Sequence, residues 1–320
     1  MDLFDRLSDD ERALLVRAPL PEAVVPMAAT LTDDRFSDPE WIFERKLDGI
    51  RCIAIRSGGG VRLLSRNGLP LDGRFPGIAA ALAAGASGDL VVDGEVVAFA
   101  GSQTSFAALQ QRGQRRAAPF LYLFDVLHLA GRDVTALPLR ARKGLLRRAV
   151  AVGGPIRITP HRNRDGEALY ARACRAGWEG LIAKRADGPY VHGRSRDWLK
   201  LKCSAEQELV IGGFTAPRGT RTDLGALLVG HFRDGRFRYA GKVGTGFTRA
   251  TLADLAARMA PLRRDDSPFA DAPALRDATW VEPRLVAQVG FTEWTRDGRL
   301  RHPRFLGLRD DKEAAEVVRE

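Results

Sequence analysis

The sequence predicts an α+β chain in two parts, on three observations. Strand-length apolar and β-branched runs recur from Trp41 onward, joined by short glycine-bearing turns that pair neighbours antiparallel. Helical patterns flank those runs near Ile78, from Leu139 to Val152 and from Asp165 to Ala176, the last closed by Gly177 at a C-cap position. After about Ala205 the composition shifts to five strand-like runs interrupted by one helix, a set that suits a small barrel such as an OB-fold.

Composition bounds the function. The 320 residues are 45% hydrophobic and 28% charged, enough apolar sequence for two ordinary cores. Lys+Arg 50 against Asp+Glu 40 leave a formal charge of +10, which points to a polyanionic partner such as nucleic acid. A membrane partner is not favoured, since no apolar run approaches the ~20 residues a span needs. Met1-Asp2-Leu3-Phe4-Asp5 lacks the basic start and apolar stretch of a secretory signal, which predicts a cytoplasmic protein. Cys52, Cys174 and Cys203 are odd in number and far apart, so they read as small buried thiols, and neither a disulfide nor a zinc site is expected.

In chain order, Ser8-Asp9-Asp10-Glu11 has capping-box spacing and predicts a short helix, followed by a proline-rich lead through Pro19, Pro21 and Pro26 that reads as a lid or strap. Trp41 to Arg56 reads as two strands around the loop that holds Glu44-Arg45-Lys46-Leu47-Asp48-Gly49-Ile50-Arg51. A lysine becomes a nucleophile only when deprotonated, through desolvation or nearby positive charge. The apolar run before Lys46 offers the first and Arg45 and Arg51 the second, while Gly49 lets backbone approach a ligand. An exposed basic strand end is the alternative.

Ser57-Gly58-Gly59-Gly60 turns the chain into Val61–Leu64, and Ser65-Arg66-Asn67-Gly68 is a tight turn presenting an arginine. Glu95 interrupts the strand-like run Leu90–Phe99, which calls for a ribose hydroxyl, a metal or an outward-facing edge position. Phe120–Leu127 is a strand broken by Asp125, with Phe124 either core or a platform for a base. Glu179 again heads a strand, Gly180–Lys184. Trp198-Leu199-Lys200-Leu201-Lys202 alternates so that both lysines share a face, suited to a solvated surface or an anionic groove. In the second part, Asp297-Gly298 marks a hairpin.

Taken together and in this order, Lys46-Leu47-Asp48-Gly49-Ile50-Arg51, Ser65-Arg66-Asn67-Gly68, Asp93-Gly94-Glu95, Phe124-Asp125, Glu179-Gly180 and Lys200-Leu201-Lys202 resemble the covalent nucleotidyltransferases, specifically ATP-dependent DNA ligases. The resemblance is closest to the ligase domain of bacterial ligase D, the non-homologous end-joining enzyme, and runs from about Pro26 through Gly241–Phe247 to His302–Arg309. It implies a lead segment (1–25), an adenylation domain (26–206) and an OB-fold domain (207–320).

The resemblance also implies roles. Lys46 is the nucleophile that takes AMP from ATP, with Lys200 and Lys202 at the α-phosphate. Glu44, Arg51, Glu95, Phe124, Lys184 and Arg309 contact the nucleotide; Glu95 and Glu179 place Mg2+ or Mn2+, and the Lys200 and Lys202 cations together with the metal hold the Lys46 pKa down. Arg66 and Lys242 contact DNA. The implied partner is nicked or broken duplex DNA. The polymerase and nuclease domains of ligase D are not in this sequence, so bacterial Ku and a separate end-joining polymerase are expected helpers of a monomer. An RNA ligase or a capping guanylyltransferase would share Lys46, and a non-catalytic duplex-binding module is the rival of another class.

Overall fold

The computed structural model describes residues 3–110, 117–203, 205–217, 224–272, 275 and 277–319. They fall into two compact units, Met1–Cys203 and Ser204–Glu320. In chain order the strands used below are β1 (Ala28–Leu31), β2 (Trp41–Arg45), β3 (Ile50–Ser57), β4 (Gly60–Ser65), β5 (Leu90–Val97), β6 (Phe120–Leu129), β7 (Gly180–Arg185) and β8 (Arg194–Lys202) in the first unit, and β9 (Ala205–Thr215), β10 (Leu227–Arg233), β11 (Arg236–Val243), β12 (Val286–Phe291) and β13 (Arg304–Leu308) in the second. The helices are α1 (Pro76–Gly85), α2 (Leu139–Ala149), α3 (Gly166–Arg175) and α4 (Arg249–Met259). No helix among the described residues is long and apolar enough to cross a membrane.

The first unit is built on two sheets. One runs β4-β3-β5-β6 and continues through the short pairs Arg132–Asp133 and Val16–Arg17; the other runs from His161–Asn163 through β2, β7 and β8 to β1. Strand alternation decides what each face meets. Ile50, Cys52 and Ala54 of β3, Val92 and Val96 of β5, and Leu121 and Leu123 of β6 bury against Ile78 and Leu82 of α1 and Leu145 and Leu146 of α2. Ile53, Ile55 and Val91, on the opposite face, join Met27, Tyr190 and Trp198.

Phe124 and Leu127 reach that second face because the β5–β6 register slips twice, between Val91 and Val92 and between Asp93 and Gly94. Each slip leaves one extra residue on β6, and a bulge re-aims a side chain. In the other sheet, Phe43, Leu181, Ala183 and Leu201 pack on Leu169 and Ala173 of α3, and burying each large apolar side chain contributes about 1.5–3 kcal/mol.

The expected capping box is present. The Glu11 amide donates to Ser8 Oγ at 3.1 Å and the Ser8 amide to Glu11 Oε2 at 2.8 Å, at the head of the helix Asp9–Ala13. The second unit has the expected helix, α4, capped by Thr248, and the turn at Gly298 joins two short paired strands. Its main sheet departs from expectation, with seven strands among the described residues, of which four fall on the five strand-like runs read; the fifth run lies in the separate pair at the Gly298 turn. The additional strands include Ala278–Val281, too short a run to register in the sequence. The long β9 divides its pairing: Ala205–Val210 pairs with β12 and Gly213–Thr215 with Ala278–Val281. No pairing between β11 and β13 closes the strand path, and no closed barrel is found among the described residues.

One sequence expectation is overturned outright. Cys174 of α3 and Cys203, just after β8, form a disulfide with Cα atoms 5.1 Å apart; only Cys52 is a buried free thiol. A separation of 29 residues hid the pairing, because it exists only once α3 lies across its sheet. Protein isolated without reductant is expected to be two hydrogens lighter than the sequence mass. Cys174→Ser should lower its stability to urea by about 3 kcal/mol, the loop-entropy scale for such a closure. An unaltered mass and an unaltered midpoint would contradict the pairing.

Candidate active site

Alternation along β2 sends Phe43 toward α3 and Glu44 to the opposite face. Just past the strand, the Lys46 amide donates to the Gly180 carbonyl at 2.9 Å, and Lys46 Nζ meets Glu179 Oε1. Gly49 is required by a close approach, though of backbone rather than ligand: a Cβ there would lie 2.2 Å from the Val96 carbonyl oxygen. Asp48 is a local brace whose Oδ2 accepts from the Phe106 amide at 2.9 Å.

The charge around Lys46 differs from the expectation. Burial pulls the pKa of Lys46 down, but Glu179, Asp48 and Glu95 outweigh it and hold the amine above its ordinary value. Arg51 does not supply the expected positive charge, because it is spent on Asp93. Its Nε and one terminal nitrogen donate to the two Asp93 oxygens at 2.5 Å each, and the latter nitrogen also donates to the Met27 carbonyl at 2.9 Å. Tyr190 donates to Asp93 Oδ2 at 2.7 Å and accepts from the Met27 amide at 2.8 Å. Arg45 lies over Trp178, 4.7 Å from its ring centre.

Arg51 also lies 4.9 Å from the centre of the Phe124 ring, and Lys184 Nζ lies 4.1 Å from the same ring and 3.9 Å from that of Trp198. Phe124 is 8% exposed, so its ring is largely covered by these neighbours. Asp125 is fully buried in a two-pronged pair with Arg142 of α2, at 2.7 and 3.0 Å. Glu44 is shared: Oε1 is 2.5 Å from Lys143 of α2 and Oε2 2.8 Å from Lys184.

Lys200 and Lys202 lie on β8 opposite Ile182 and Gly180 of β7, half-buried, and their alternation with Leu201 separates them from the α3 side. Glu95 is paired in register with Arg51. Arg66 is exposed on its turn, which Gly68 closes with φ of 77°. Lys46, Glu179, Glu95, Arg51, Phe124, Glu44 and Lys184 are therefore joined through contacts or register within the first unit. Lys242 is exposed on β11 of the second unit, where Arg309 donates to both Asp311 oxygens at 2.9 Å.

Asp93, Tyr190, Trp198 and Lys143 carried no role in the sequence reading. Trp198 had a legible signal, since it shares the period-two face of Lys200 and Lys202. Lys143 had none, being one of many basic residues on its helix.

Comparison with known proteins fits this geometry. Residues 26–202 match the family model described as ATP dependent DNA ligase domain, and 220–312 that of the ATP dependent DNA ligase C terminal region. The multifunctional non-homologous end joining protein LigD of Pseudomonas aeruginosa is 39% identical over 95% of this chain and 37% of its own length. The Mycobacterium tuberculosis LigD is 39% identical over 93% and 40%, so this chain spans about two fifths of these relatives. The structure of mycobacterial DNA ligase D complexed with ATP and MES matches with a TM-score of 0.69 at 36% identity, covering 93% of this chain and 98% of that one.

The Asp93 network yields a test. Asp93→Asn halves the bond between Arg51 and its buried partner and is expected to cost roughly 3–5 kcal/mol in urea unfolding. Tyr190→Phe, which leaves the charge pair intact, should cost about 1–2 kcal/mol. Equal losses in the two variants would show that the ion pair is not the anchor.

Proposed function

Because the chain belongs to the ATP-dependent DNA ligase family, we propose that it seals 5′-phosphate/3′-hydroxyl breaks in duplex DNA through a lysyl-AMP intermediate, in double-strand-break repair. The observation that carries the reading is Lys46 Nζ in contact with Glu179, on a sheet whose strand β8 also presents Lys200 and Lys202. In the first step the Lys46 lone pair attacks the α-phosphorus of ATP. The charged amine first releases one proton to solvent, which frees that lone pair; the P–N bond then forms as the P–O bond to pyrophosphate breaks, and the attacking nitrogen releases a second proton to water. The AMP then passes to the 5′-phosphate of the break, and attack by the 3′-hydroxyl closes the phosphodiester and releases AMP.

Phosphoryl transfer asks mainly for alignment and charge neutralisation. Lys200 and Lys202 supply cations for the α-phosphate, Arg51 and Glu95 hold the ribose, and Phe124 with Glu44 and Lys184 receives the base. The free amine is held charged, so its contact with Glu179 must loosen before attack. No cluster of three or more metal-ligating side chains exists among the described residues. The carboxylates of Glu179 and Glu95 nonetheless fit Mg2+ or Mn2+ carried on a triphosphate, because such ions take one or two carboxylates and complete their shell with phosphate and water. Held there, the ion would supply positive charge to the reacting phosphates.

Residues 26–206 form the adenylation domain in this reading and 207–320 the OB-fold domain, which carries the nucleotide contact Arg309 and the DNA contact Lys242. Arg66 contacts the 5′-phosphate. In this reading the protein acts in the cytoplasm as a monomer, with Ku and an end-joining polymerase activity as its helpers.

Purified protein given ATP, magnesium and a nicked duplex is expected to convert the nick to a continuous strand. Lys46→Ala should abolish sealing of an unadenylated nick. Sealing by that variant would remove Lys46 as nucleophile, and labelling by GTP alone would favour a guanylyltransferase.

A further inference from the structure

Two buried lysines share one buried carboxylate in the first unit. Glu44 is 2% exposed, Lys143 and Lys184 1% each, and one negative against two positive charges leaves an excess of one cation among these buried side chains. Buried ions are stable only when paired. For both amines the described residues offer no acceptor besides Glu44 within hydrogen-bond distance.

The two lysines are not equivalent. Lys143 comes from α2 and ends on Glu44. Lys184, from β7, ends on Glu44 and also on the faces of Phe124 and Trp198. A base seated against Phe124 would therefore meet the Lys184 amine, which lies on that ring.

We propose that Lys143 is a positioning residue for nucleotide binding: by holding half of the Glu44 carboxylate, it keeps the Lys184 amine loosely tethered over the Phe124 and Trp198 rings, available to donate to a purine ring nitrogen. The inference rests on the ligase reading for the identity of the nucleotide. The charged and titratable groups described around Lys184 are consistent with it. Burial pushes its pKa down to about 8; Glu44 opposes that shift, Lys143 reinforces it and Asp125 opposes it. Asp125 is itself neutralised by Arg142. Arg51 shares the Phe124 ring but is tied to Asp93. His161, opposite Glu44 in register, is pushed down to about 4 by burial and by Lys143, and is neutral wherever Lys184 titrates.

The test is direct binding of ATP in the presence of a chelator, so that no transfer occurs, at several pH values. A donor that titrates near 8 falls from about nine-tenths charged at pH 7 to about one-tenth at pH 9. Apparent affinity scales with that fraction, so the wild type should lose about tenfold in ATP affinity between those values. Lys143→Met removes the like charge and leaves Glu44 and Lys184 as a balanced pair. It is expected to melt no lower than wild type, to bind ATP about fivefold more weakly than wild type at pH 7 because the Lys184 amine is drawn onto Glu44, and to hold that weaker affinity within about twofold from pH 7 to 9. Lys143→Arg restores a permanent cation and should restore the tenfold loss.

A merely structural lysine would give the opposite result: a lower melting temperature in Lys143→Met with an unshifted pH profile. If the profiles of Lys143→Met and wild type superimpose while the protein still takes AMP from ATP with magnesium, this inference fails alone. If the profile shifts as stated but no AMP is ever taken, the ligase reading fails and the inference stands. Absence of ATP binding in every protein overturns both.

Discussion

The contact between Lys46 and Glu179 is the constraint on which the rest of the site depends. Both residues stand at strand ends, Lys46 just beyond β2 and Glu179 just before β7, and these strands are antiparallel neighbours with Leu181 opposite Arg45. The Lys46 amide bonded to the Gly180 carbonyl extends that pairing by one step, so the two side chains emerge together without a loop to place them. From that fixed point, alternation distributes the other groups: Glu44 two residues back on β2, Lys184 further along β7, and Trp198, Lys200 and Lys202 on β8. A one-residue slip in any of these pairings would send the charges to the α3 side, where Phe43, Leu181 and Leu201 leave them no polar partner.

The second theme is neutralisation of buried charge. Asp93 takes Arg51, Asp125 takes Arg142, and Glu44 takes two lysines. Removing one member of such a set exposes the cost of desolvating the other, so the cluster specifies an arrangement more than it adds stability. Asp93 has the widest reach, because through Arg51, Tyr190 and Met27 it connects strand β3, the segment between β7 and β8, and the approach to β1. The same network turns Arg51 toward Phe124, the ring to which the register slips of β6 give access.

Much of this was legible from residue order alone. The capping box at Ser8, the glycine turn after Ser57 and the period-two face of β8 are local features, and local chemistry decides them. The family resemblance also held, because six short motifs preserve their order whatever lies between them. The Cys174–Cys203 pair was not legible, since it depends on how α3 crosses its sheet. Nor was the charge on Lys46: the sequence shows two arginines nearby, whereas the fold directs Arg51 to Asp93, lays Arg45 over Trp178 and brings Glu179 from 133 residues away. Phe124 read as an open platform or plain core, and it is a ring covered by a lysine and an arginine, a state that no linear pattern encodes. The second-unit sheet was undercounted because Ala278–Val281 is short and β9 divides its length between two partners.

In the proposed reaction one amine, held charged by Glu179 in the free protein, becomes the acceptor of AMP. The most direct test is tandem mass spectrometry of peptides after incubation with ATP and magnesium. The account predicts the mass of a single AMP in acid-labile linkage on Lys46 and on no other side chain. An adduct mapped to Lys184, Lys200 or Lys202, or protein that never gains the mass, would contradict it.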